Sequence, residues 1–166
     1  MNPSIVQEPG EAGDPLPSNE RVFRLAIPTA DGKLAPEAFE LSSDDKVAAR
    51  PSLSVWVERF TTASQARSFL TRNQLQYVLK APLVVSQVRS VQPDPADPKI
   101  QGLDVVWEPL MVMSGTGSQV PDPRPGARGH SGITGLHRTP PMTKLQAKSL
   151  RRQLTELARK EGVQDV

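Results

Sequence analysis

The chain predicts a small α+β domain: a mostly antiparallel sheet of four to five strands, one short helix and a C-terminal amphipathic helix. Three observations carry that prediction. Segments at 21–27 and 52–58 alternate residues with a period of two, as half-buried strands do. All seven aromatic residues lie between Phe23 and Trp107, and aromatic rings contribute disproportionately to cores, so the main core belongs there. The last segment repeats its leucines at helical spacing and has only aliphatic groups to bury.

Taken in order, Phe23, Leu25 and Ile27 alternate with Val22, Arg24 and Ala26, and Pro28 closes this first strand. Ala30 to Lys33 form a turn, and Pro36 to Leu41 a short helical or irregular segment. In the second strand Leu53, Val55 and Val57 face one way, with Ser52, Ser54, Trp56 and Glu58 opposite. Thr61 or Thr62 caps a short helix to about Thr71, with Ala63, Ala66, Phe69 and Leu70 inward. Leu83–Val91 and Gly102–Glu108 read as further strands, joined as antiparallel neighbours by a proline-rich loop, and Met111–Met113 extends the sheet briefly. Residues 114–128 read as a Pro/Gly-rich loop. A helix over 143–161 follows, capped by Thr143 and stopped at Gly162, with a stripe of Leu145, Ala147, Leu150, Leu154, Leu157 and Ala158.

The length of 166 residues suits one domain, placed at 21–162. Apolar residues make up 37%, below the roughly 45–50% (glycine included) of ordinary domains. The seventeen prolines cluster in the opening stretch, at 93–98 and at 121–125, so the deficit belongs to tails and loops. Residues 1–20 carry four acids and no base, have little to bury, and read as a disordered acidic leader. Residues 127–166 carry eight bases against three acids, which hides a basic end under a net charge of +2. Cysteine is absent, excluding disulfides and thiolate metal sites. The opening residues lack the basic and apolar regions of a secretory signal, and no apolar run has membrane-spanning length, so a cytoplasmic protein without a membrane partner is expected.

The segment from Gly126 to Arg138 holds both histidines and four of the eleven glycines. Such a loop reads as a tight connection or as an anion site, where Arg128, His130, Ser131, Thr134 and Arg138 converge on a phosphate or carboxylate. Two other chemistries are disfavoured. Gly129-His130-Ser131-Gly132-Ile133 departs from the G-x-S-x-G nucleophile elbow at Ile133, and prolines rather than a strand precede it. His130 and His137 lack the nearby third and fourth ligands a zinc ion requires, so no metal is expected, and nothing calls for a cofactor. On the last helix Lys144, Lys148, Arg151 and Arg152 turn away from the apolar stripe and could contact phosphates, although Glu156 and Glu161 dilute them. Arg24 and Ser54 occupy the less apolar faces of their strands. The face of Ser54 and Trp56 suits a partner or, more simply, a cover by the C-terminal helix.

Phe23-Arg24, Ala38-Phe39, Leu53-Ser54-Val55, the Val105 to Pro109 stretch and Gly129-His130 together resemble a group of small bacterial proteins without an assigned activity. The resemblance spans about residues 22–138 and implies only that Arg24, Ser54 and His130 belong to one surface.

The favoured functional expectation is a non-enzymatic interaction or accessory module with a protein partner, since no acid/base pair, metal set or complete phosphate motif is present. The first alternative is a small enzyme or toxin-like effector acting on a nucleotide or nucleic acid through His130 and arginines. The second is nucleic-acid binding through the basic terminal helix. Oligomeric state is not legible.

Overall fold

A computed structural model of the chain describes residues 8–42, 46, 51–138 and 141–166. Its framework is an antiparallel sheet of six strands: β1 (Arg21–Ala26), β2 (Ser52–Val57), β3 (Leu79–Val84), β4 (Asp104–Trp107), β7 (His130–Thr134) and β8 (Gln164–Asp165). Their order in space is β4-β7-β2-β1-β3-β8. Strands β5 (Met111–Met113) and β6 (Gln119–Pro121) form a separate hairpin. Among the described residues, helices α1 (Ala63–Ser68), α2 (Val85–Ser90) and α3 (Lys144–Glu161) pack with these strands.

Alternation along the strands separates two apolar clusters, because successive side chains leave a strand on opposite faces. Val22, Leu53, Val55, Val57, Leu83, Val105 and Ile133 face the main core. Leu150, Leu154 and Ala158 of α3 and Val85 and Val88 of α2 close it. Phe23, Leu25 and Trp56 face the other way, against Ala66 of α1, with Ala63, Phe69 and Leu70 packed alongside. The C-terminal helix therefore covers the Leu53–Val55 face, not the Ser54–Trp56 face expected for it. The apolar stripe is also shorter than its leucines suggest: Leu145 is 80% exposed, being in the first turn and beyond the sheet's reach.

The four to five strands expected become six, and the differences have local causes. Val85, Val88 and Val91 are all buried and recur every third residue, so 85–90 winds as α2 where a strand was expected, and β3 begins earlier, at Leu79. β3 and β4 are not neighbours; β4 pairs with β7, and β3 with β1 and β8. α2 follows β3 directly and packs on β4 at the other end of the sheet, which curls the sheet around the core. Met111–Met113 pairs with Gln119–Pro121 inside the expected loop instead of joining the main sheet.

The described part of the leader is a structured strap. Gly13 and Leu16 donate to the carbonyls of Trp107 and Val105 at 2.7 and 2.9 Å, and Leu16 is 1% exposed in the core. The strap covers the outer edge of β4, where unpaired backbone groups would otherwise remain. Arg89 of α2 pins it, donating to Leu16 O at 2.5 Å, to Ser18 Oγ at 2.9 Å and to Asp104 Oδ1 at 2.8 Å. Residues 1–7 lie outside the described residues.

Candidate functional site

The middle of the glycine-rich segment, His130–Thr134, is a strand. β7 lies between β2 and β4, with Trp56 opposite His130 and Ser54 opposite Gly132 on one side, and Val106 opposite Gly132 on the other. Its backbone amides are committed to these two ladders, which removes the nest an anion loop needs. The glycines admit protein neighbours instead. A Cβ on Gly132 would meet Ser52 Oγ at 2.5 Å and Glu108 Oε2 at 2.9 Å, and one on Gly129 would collide with the Thr61 hydroxyl.

Because β7 is a strand, the residues expected to converge are dispersed. Ser131 is fully buried on the core side, with its hydroxyl donating to Gly129 O at 3.3 Å. Thr134 ends β7, half-buried. Arg128 stacks over the Phe60 ring and pairs with Glu8. Arg138 donates to Gly135 O at 2.7 Å and lines a separate cavity of about 180 Å³ with His137 and Arg151. Lys144, Lys148 and Arg152 are exposed along α3.

Arg24, Ser54 and His130 do come together. They line one cleft of about 440 Å³ with Trp56, Phe69, Tyr77 and Arg124, floored by the second apolar cluster. His130 sits diagonally across the ladder from Ser54 and on the same face. Its Nε2 lies 3.0 Å from Ser54 Oγ, and its Nδ1 lies 2.8 Å from the backbone oxygen of Glu108. A carbonyl only accepts, so Nδ1 carries the hydrogen and the Nε2 lone pair of the neutral ring receives the Ser54 hydroxyl. Burial pushes the His130 imidazole below its usual pKa, against the smaller opposing pull of its bond to Glu108. Trp56 fixes the ring from the side, edge-to-face with centroids 5.0 Å apart.

Arg24 reaches the cleft through a gap in the sheet. The β1–β2 ladder registers Val22 against Val57 and Phe23 against Trp56. Past that point Arg24 Nη1 donates to Ser54 O at 2.7 Å and Nε to Ala38 O at 2.5 Å, so its guanidinium satisfies a β2 carbonyl in place of a strand amide.

Arg124 is the residue the sequence does not single out. Its Nη2 lies 2.6 Å from Asp122 Oδ2 and its Nε 3.1 Å from both carboxylate oxygens, while its side chain stays 60% exposed and that of Asp122 only 2%. This hydrogen bonding holds the Asp122 carboxyl below the usual carboxylate range. The guanidinium also stacks 4.5 Å above Phe69, which in turn stacks on Trp56 at 5.2 Å. The one available signal is Asp122-Pro123-Arg124, an Asx-turn sequence in which Arg124 N donates to Asp122 Oδ1 at 2.9 Å. The leucines and rings of the cleft read as ordinary core from spacing alone.

Among the described residues no group of His, Asp and Glu is placed to hold a metal ion, and no helix is long and apolar enough to cross a membrane. No family model, curated protein or solved structure matches the chain.

Proposed function

We propose that the protein binds a small organic anion with an apolar or aromatic body in the cleft of Ser54, Trp56, Arg124 and His130. One observation carries this reading: the described lining combines rings and leucines with two arginines and a serine–histidine pair, and it contains no carboxylate. Apolar walls with a few fixed polar groups are the usual make-up of a ligand site. Arg124 is pre-organised by Asp122 and Phe69, so little side-chain freedom is lost when an anion meets its outer N–H groups. The ligand class includes nucleotides, which keeps the enzyme reading from the sequence within reach of the same cleft.

The test is an NMR titration with indole-3-acetate, its neutral amide and adenosine monophosphate. The expected result is shifts confined to Ser54, Trp56, His130 and their neighbours. The carboxylate should bind more tightly than the amide, and Arg124→Gln should remove about tenfold of its affinity, the scale of one charge-assisted hydrogen bond. If none of the three probes moves these resonances at millimolar concentration, the cleft is not a small-anion site. The cytoplasmic interaction module then returns as the leading reading, or nucleic-acid binding if a short RNA shifts Lys144, Lys148 and Arg152.

A further inference from the structure

We infer that Ser54 is a nucleophile activated by His130, and that the cleft carries out acyl transfer from an activated carboxylic ester to water. The inference rests on the cleft being a ligand site and adds a reaction to it.

Three groups stand in the order such chemistry needs: hydroxyl, base, and a partner that orients the base. Ser54 Oγ is 3.0 Å from His130 Nε2, and the opposite ring nitrogen is anchored 2.8 Å from Glu108 O. The backbone carbonyl takes the place that a carboxylate holds in a Ser-His-Asp triad, fixing the tautomer whose Nε2 lone pair accepts the serine proton. The pair is not sealed into the core, since both residues line the open cleft beside apolar rings able to hold an acyl or aryl group. The Arg24 guanidinium, donating to the backbone carbonyl of Ser54 at 2.7 Å, fixes the strand backbone that carries the nucleophile.

In the first step Ser54 Oγ attacks the ester carbonyl carbon while its proton passes to His130 Nε2. The tetrahedral intermediate collapses, the bond to the leaving alkoxide breaks, and that oxygen takes the proton from His130. Water then attacks the Ser54 ester with His130 again as base, which releases the carboxylic acid and restores the hydroxyl. The released product is an organic anion, the class of ligand assigned to the cleft.

The 166-residue chain is incubated with a fluorophosphonate probe and, separately, with p-nitrophenyl acetate. Intact mass and peptide mapping should show one phosphonyl adduct at Ser54, none in Ser54→Ala, and an unchanged yield in Ser131→Ala, whose hydroxyl lies on the core side of β7. His130→Gln should slow labelling by about 10²–10⁴-fold, the usual contribution of a positioned general base. If that variant does not fold, the wild-type pH–rate profile decides: labelling should follow a single deprotonation that coincides with the NMR titration of His130. No adduct in a protein that binds indole-3-acetate would overturn the nucleophile while leaving the ligand site intact. Equal labelling of wild type and Ser54→Ala would overturn it too, whereas loss of anion binding altogether removes the reading beneath it.

Discussion

His130 is held by opposing demands. Its ring is buried against Trp56, which disfavours the imidazolium, while the Glu108 carbonyl requires a hydrogen on Nδ1 in either protonation state. The folded-state pKa lies below the ordinary value of 6.5, so between the two values the unfolded chain binds more protons than the folded one. Stability from this residue is present above about pH 6.5 and is lost as pH falls through the folded pKa. We predict an imidazole NMR titration with its midpoint below 6.5 and a melting temperature that declines across that window. His130→Gln should flatten the decline; an unchanged slope would show that other groups cause it. The neighbouring Gly132 shows how this residue is accommodated. Its missing side chain leaves room for Ser52 and the Glu108 carboxylate, which bond to each other at 3.1 Å, so the glycine serves packing around the pair and not a phosphate. That distinction was not legible beforehand, because glycine spacing reports only that space is needed, not what fills it.

At the level of elements, those bounded by local chemistry were readable. Thr143 accepts from Gln146 N at 3.1 Å and Gln146 Oε1 accepts from Thr143 N at 3.0 Å, a reciprocal box that starts α3 where the sequence places it. Thr62 and Gln65 repeat the arrangement at α1. Thr143→Ala should cost about 1 kcal/mol, measured by urea unfolding, because buried Leu150, Leu154 and Ala158 then anchor a frayed helix. A change below a few tenths would mean that tertiary packing alone sets the helix start. Elements without such signals form against their local propensity. β7 opens on His130-Ser131-Gly132 and has little strand propensity of its own; it is a strand because β2 and β4 offer it two ladders. α2 is the converse case, with Val84, Val85, Val88 and Val91 favouring a strand locally while the chain leaves the sheet after Val84.

At the scale of the molecule, the curled sheet carries two unequal apolar layers, and the strap at 8–20 helps to close the larger one. Leu16 is inserted in that core beside β4, so Leu16→Ala should destabilise the protein by about 2–3 kcal/mol, lowering the urea midpoint with little change in slope. A loss under 0.5 kcal/mol, the range of ordinary surface changes, would make the strap a dispensable leader. The smaller layer explains the cleft: α1 has only six residues, and the part of the Trp56 face it leaves uncovered is the cavity containing Ser54 and His130.

The amino-acid sequence alone determined the α+β class, the two alternating strands at 21–27 and 52–58, the capped helices and the concentration of rings before residue 108. Periodicity, capping pairs and composition act within a few neighbouring residues, and so can be read along a line. Only the tertiary structure decided the sheet order, the face that α3 covers, the burial of Leu16 and the meeting of Arg24, Ser54, Arg124 and His130. Each depends on pairings across 30 to more than 100 positions, where the free energy lies in surfaces that local spacing does not encode.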